Sequence, residues 1–280
     1  MSDGQVWFIT GASSGLGQAF ALYALDRGYR IVATARDVAR LDGLRERAPE
    51  RVLALTLDVT RPGDAEAAVA AALQRFGRID VLINNAGYGI VGALEETPMA
   101  EFRGQMETMF FGAIQVTQAA LPALRAQGAG AVVNISSMGG QMSFPGFSAY
   151  SAAKFALEGA SEALAQELAP FGVKVLIVEP GEFRTAFAGG ALRHMPEIEA
   201  YRPVVGGTRD FARGMDGTQS GDPMKAAAAI DAALQAERTP LRLQLGADAV
   251  AAIREHARAL LADLAAWEGV ATDVRVAEAA

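Results

Sequence analysis

Seven short, strongly apolar runs recur along the chain, each followed by a longer amphipathic stretch, and this alternation limits the architecture more than any other feature. The runs span 6–10, 30–35, 52–57, 79–83, 131–136, 173–178 and 241–245. Several are almost unbroken Val, Ile and Leu, as strands are when helices cover both faces of a sheet. Helical periodicity between and after them predicts helices over 15–27, 38–47, 62–76, 98–126, 148–169, 223–237 and 247–267. Strand and helix in turn predict an α/β fold of one domain across 1–280. Its frame is a Rossmann-type, doubly wound parallel sheet of about seven strands with helices on both faces.

The bulk numbers narrow the function. With 280 residues, 51% of them hydrophobic and 20% charged, the chain can bury a full core. A net charge of −7 argues against a nucleic-acid surface, which needs clustered cations. No cysteine and only His194 and His256 are present, so no metal site is expected. Nothing resembles a membrane span or a secretory leader, and the expectation is a cytoplasmic protein. One segment breaks the rhythm: 182–222 holds seven glycines and scattered charge. So long a connection after the sixth strand, at the carboxyl edge of the sheet, is expected to act as a substrate lid.

Between the first strand and first helix lies Thr10-Gly11-Ala12-Ser13-Ser14-Gly15-Leu16-Gly17. Glycines here let the chain turn tightly and let backbone N–H groups approach a dinucleotide pyrophosphate at the positive end of a helix. A plain tight turn with serine caps is the simpler reading. The same residues also satisfy the G-x-S-x-G of serine hydrolases, but the turn follows the first strand and His256 sits in an alanine-rich helical stretch.

Further on, Ser137 stands at the end of the fifth strand, and Tyr150 and Lys154 are four apart on one helix face. A phenol titrates near ~10 in water. A neighbouring ammonium favours its phenolate and tunes it toward neutral pH for proton transfer. The Ser137 hydroxyl is placed to bond a substrate carbonyl oxygen.

Together with Asn84-Asn85-Ala86-Gly87 after the fourth strand and Pro180-Gly181 after the sixth, these motifs stand in the order of the short-chain dehydrogenase/reductase family, which the chain resembles over most of its length. The resemblance implies Ser137, Tyr150 and Lys154 as catalytic residues, with Tyr150 the acid/base and Lys154 also holding the nicotinamide ribose. It implies a dinucleotide on the glycine turn (Gly11, Ser13, Ser14, Gly15, Leu16, Gly17). Asp58 and Val59 would meet its adenine, Asn85, Ala86 and Gly87 would pack along it, and Pro180, Phe183 and Thr185 would border the nicotinamide. A homodimer or homotetramer built on the fourth and fifth helices, acting on a small carbonyl or alcohol substrate, is implied in the same way.

Ala35 stands where an NAD-preferring site has a carboxylate, and Arg36 follows it. A guanidinium clamps a 2′-phosphate that a carboxylate repels, so NADP(H) is the expected cofactor and NAD(H) the alternative. Asp37 follows at once and weakens that argument. The pattern breaks at Met109, where many family members carry an Asn that serves a proton relay. Either the Met109 main-chain carbonyl still holds a relay water, or the protein binds its cofactor as a sensor with little turnover. Gln141, Met142, Phe144, Phe147 and Phe187 are the substrate-contact candidates, suggesting an apolar pocket for a ring or acyl chain, with Gln141 its polar contact.

Overall fold

The first strand, β1 (Val6–Ile9), lies at the centre of a parallel sheet, between β2 (Arg30–Ala35) and β4 (Val81–Asn84), with Phe8 opposite Val32 on one side and Leu82 on the other. The chain is known here as a computed structural model that describes residues 4–274 and 276. Beyond β2 lies β3 (Val52–Thr56). Beyond β4 come β6 (Gly130–Ile135), β7 (Val173–Pro180) and β9 (Arg242–Leu245), giving the order β3-β2-β1-β4-β6-β7-β9. The strand order reverses between β1 and β4, and a ligand crevice opens there at the carboxyl ends of the strands.

Both faces of the sheet are covered, which is why β1 is buried at every position. On one face Trp7, Ile9 and Ile31 pack with Phe20 of α1 (Gly15–Asp26), Leu44 of α2 (Asp42–Arg47) and Ile230 of α8 (Pro223–Gln235). On the other, Val6, Phe8 and Val32 pack with Val69 of α3 (Asp64–Phe76) and with Val116 and Leu124 of α5 (Gly112–Gln127). Alternate residues of one strand thus feed two separate cores, as a period of two requires.

Three expectations change in detail. The helix expected over 98–126 runs as α4 (Met99–Met106) and α5, joined by one π-helical turn at Glu107–Phe111. That widened turn, a form often found at functional sites, holds Met109. The helix expected over 38–47 is a 3₁₀ turn, Val38–Leu41, followed by the short α2. The last helix, α9 (Ala247–Thr272), runs five residues past Trp267. The 148–169 helix is α6 (Ser148–Leu168).

The 182–222 segment is more ordered than its glycines suggest. Phe183 bridges to Gly221, and the Arg184 Nε–H donates to the Gln219 carbonyl at 3.0 Å, so the two ends of the segment are tied together. Between them, β8 (Leu192–His194) pairs in parallel with β5 (Gly89–Val91), and α7 (Arg202–Gly214) follows. Neither three-residue strand was visible as periodicity. Among the described residues no helix is long and apolar enough to cross a membrane.

Candidate active site

At the carboxyl edge of the sheet lies one cleft of about 1320 Å³, larger than the roughly 300–1,000 Å³ of a typical small-molecule site. One end is made by the glycine turn. Gly11 has φ +66, open to glycine at little cost. A Cβ on Gly17 would collide with the Gly11 carbonyl oxygen and the Asn85 amide, so glycine lets α1 approach the strand ends closely. Gly17 itself lies behind the lining rather than on it. Ser14 caps α1 without a side-chain hydrogen bond, and no acidic residue occupies the first turn. The helix end therefore offers its N–H groups and partial positive charge to an anion, which is what a dinucleotide pyrophosphate would use.

The loop after β4 is held against this turn. Thr10 Oγ1 accepts from the backbone N–H of Asn85 (2.9 Å) and of Ala86 (3.0 Å), and the Asn85 side chain donates to the Thr10 carbonyl at 2.9 Å. Asn84, beneath it, donates to Thr117 Oγ1 (2.9 Å) and Asn134 Oδ1 (2.8 Å). Asn85, Ala86, Gly87, Asp58 and Val59 all reach the cleft. Asp58 Oδ1 accepts from Thr60, and its carboxyl titrates below the usual range: burial raises it, but the Thr60 bonds and the Arg61 and Arg36 charges outweigh that.

At the end of β2, Arg36 and Arg40 both line the cleft. Arg40 was missed in the sequence, although it stands four residues after Arg36. Asp37 turns away: its carboxylate accepts from the Ala39 N–H at 3.1 Å and caps the 3₁₀ turn. The residues present fit the adenosine end of a nicotinamide dinucleotide.

The other end holds Ser137, Tyr150 and Lys154. Ser137 follows β6 and caps a 3₁₀ turn, its Oγ accepting from the Gly139 N–H at 3.0 Å. Tyr150 and Lys154 are one turn apart on α6, with Lys154 Nζ 5.6 Å from the Tyr150 ring centre and donating to the Ile135 carbonyl at 2.7 Å. Ser137, Tyr150 and Lys154 all line the cleft. Burial pushes the Tyr150 phenol above its ordinary value, while the Ser137 hydroxyl pulls the other way. Burial lowers Lys154 to about 8, against the attraction of Glu158. The sequence argument expected the ammonium to set the phenol low. In this cleft desolvation of the phenolate is the larger effect, and the phenol is raised instead.

Phe147 and Phe187 meet the Tyr150 ring edge-on at centroid distances of 6.0 and 6.3 Å. They line the cleft with Phe144, Pro180, Phe183 and Thr185, and α7 adds Thr208 and Phe211, for which the sequence carried no signal. Gln141 and Met142 are not on the lining. Gln141 Nε2 instead donates to Glu179 Oε1 at 2.6 Å, beside Gln244 on the other carboxylate oxygen. A fully buried carboxylate needs donors, and the nearby amides supply them. Among the described residues no three His, Cys, Asp or Glu gather as metal ligands would.

Behind Lys154, Glu158 Oε1 accepts from Ser136 Oγ at 2.6 Å, and Arg242 Nε lies 3.1 Å from both the Glu158 and Glu179 carboxylates. Burial raises the Glu158 carboxyl to about 7. The native state then holds this proton more tightly than the unfolded chain, so stability from this group falls as pH rises from about 4.5 to 7. Glu158→Gln is expected to flatten that part of the stability profile in urea unfolding. An unchanged slope would rule out Glu158 as its source.

The comparisons agree with this architecture. The short chain dehydrogenase family profile matches residues 5–195. Oxidoreductase BOA17 of Botryotinia fuckeliana (strain B05.10) is 40% identical over 264 residues, covering 94% of this chain and 96% of that protein. A crystal structure of a short-chain dehydrogenase from Streptomyces avermitilis superposes with a TM-score of 0.91 at 50% identity, over 97% of this chain and 100% of that one. A short chain dehydrogenase/reductase from Burkholderia phymatum, solved in complex with NAD, gives a TM-score of 0.77 at 28% identity, over 90% and 92% of the two chains. With its phosphate-ready turn, its Ser137–Tyr150–Lys154 group and these matches, the chain belongs to the short-chain dehydrogenase/reductase family of oxidoreductases.

Proposed function

We propose that the protein is an NADP(H)-dependent reductase that interconverts a ketone and a secondary alcohol on a hydrophobic or ring-containing substrate. The observation that carries this reading is Tyr150: a half-buried phenol, raised by desolvation, that packs against Phe147 and Phe187 in one cleft with Ser137 and the glycine turn. A bound nicotinamide supplies the hydride in the reductive direction. Ser137 Oγ–H donates to the substrate oxygen and holds the carbonyl at the phenol. Tyr150 transfers its hydroxyl proton to that oxygen as negative charge develops there, and its raised affinity for the proton keeps it loaded at neutral pH. Lys154, fixed by the Ile135 carbonyl, stabilises the phenolate that remains. Phe144, Phe147, Phe183 and Phe187 exclude water and favour an apolar substituent.

Arg36 and Arg40 support the choice of NADP(H), since two guanidinium groups at one strand end can pair a 2′-phosphate, and Asp37 is occupied as a cap. Arg36→Asp is expected to lower kcat/KM with NADPH by roughly 10- to 150-fold, the worth of one lost charged hydrogen bond, and to raise relative use of NADH. Kinetics with both cofactors check this, and unchanged preference would remove Arg36 from the argument. The reaction class is tested by following NADPH absorbance across a panel of cyclic and long-chain ketones. Tight NADPH binding without turnover on any of them would overturn the enzymatic reading.

A further inference from the structure

The last helix leaves the body of the protein. In α9, Ala249 and Ile253 are buried, yet every residue from Ala257 to Thr272 is exposed, an arm of sixteen residues and roughly 24 Å. Leu260 (56%), Leu261 (67%), Leu264 (63%) and Trp267 (66%) stand open to solvent on it. A helix of this length is marginal alone in water, and large side chains so spaced are not what a solvated helix carries.

Their spacing is specific. Ala257, Leu260, Leu264, Trp267 and Ala271 follow in steps of three, four, three and four, all apolar, which is the seam of a two-helix coiled coil, and they continue the face that Ile253 buries in the body. Toward the body Arg258 is paired with Glu255 (3.6 Å), leaving Arg254 as the cation there, while Asp263 and Glu268 lie toward the tip. We propose that this arm pairs antiparallel with the same arm of a second copy of the chain, about a two-fold axis near Ala262.

That arrangement is self-complementary. It places Leu260 against the second copy's Leu264, and Trp267 against the second copy's Ala257, so a large side chain meets a small one at each outer layer. On one flank Arg254 meets the second copy's Glu268, and the symmetry makes the contact twice. Leu261 meets its own copy between them. Asp263 also meets its copy, on the solvent-facing flank, where like charges cost little. A parallel pair would instead set Asp263 beside Glu268 twice and Trp267 against Trp267. The arm surface is separate from α4, α5 and α6, so it adds a two-fold contact whatever those helices do.

Sedimentation of the whole chain tests this. Leu264→Asp is expected to halve the assembly mass, weakening the pairing roughly 30-fold or more, with turnover unchanged because the arm does not touch the cleft. Arg254→Glu and Glu268→Arg should each weaken assembly, and the two together in one chain should restore it, since each then meets its opposite on the second copy. Circular dichroism of the variants checks that the body remains folded. A wild-type chain that is monomeric, or a mass indifferent to Leu264→Asp, overturns the pairing. A double variant that stays dissociated overturns the antiparallel arrangement.

Discussion

Tyr150→Phe is expected to lower turnover in ketone reduction at least about a hundredfold while leaving NADPH affinity near its original value. A general acid in place contributes ~10²–10⁴ in rate. The substitution removes the proton and little else: phenylalanine can keep the edge contacts to Phe147 and Phe187, and the Lys154 bond to Ile135 does not involve the phenol. Cofactor fluorescence titration and steady-state kinetics on the same preparation separate the two effects. A variant with unchanged kcat would take Tyr150 out of the mechanism. A variant that lost NADPH binding along with rate would show a structural role instead.

The second large effect is expected on the 182–222 segment. Arg209 on α7 and Glu96 form an ion pair at 2.6 Å with both side chains almost wholly buried. Glu96 also accepts from the backbone N–H of Ala93 (2.6 Å) and of Ile198 (2.8 Å), and Arg209 donates to the Met195 carbonyl at 2.8 Å. Burial alone would raise the Glu96 carboxyl, but these donors hold it below the usual range. Its stabilisation is therefore present above the unfolded carboxyl range and is lost as pH falls through the lower native value. Arg209→Met leaves that carboxylate buried with one donor fewer. The expected cost is roughly 3–5 kcal/mol in urea unfolding, with faster proteolysis in the 195–215 region. Arg209→Met with Glu96→Leu should recover much of the loss, because replacing both partners leaves no uncompensated charge. A single variant within about 1 kcal/mol of the parent would show that the pair is not what seats this segment.

Much of the site was legible in the sequence because its parts are local. Gly11 and Gly17 announce a turn that only glycine allows, and Tyr150 and Lys154 must share a helix face at their spacing. Ser137, thirteen residues before Tyr150, needed only the end of a strand to place it. Gln141 was legible as a polar residue near the site, but not as a donor to Glu179, because nothing in its own neighbourhood marks a carboxylate 38 positions away. Arg40 lay in plain view, and a count of basic residues beyond Arg36 could have found it. Phe211 and Thr208 could not be found, since their segment read as an irregular connection.

The amino-acid order by itself determined the parallel sheet and its helices, the glycine turn, and the meeting of Ser137, Tyr150 and Lys154 in one cleft. Each of these rests on periodicity or on spacings within a few turns of chain. Only the tertiary structure decided how the 182–222 segment is seated, in which direction burial moves the Tyr150 phenol, and which amides serve Glu179. These depend on groups far apart in the chain, such as Glu96 and Arg209 at a separation of 113 residues, and on how completely the folded body excludes water from them. Burial and long-range pairing are properties of surfaces that exist only once the chain has closed on itself.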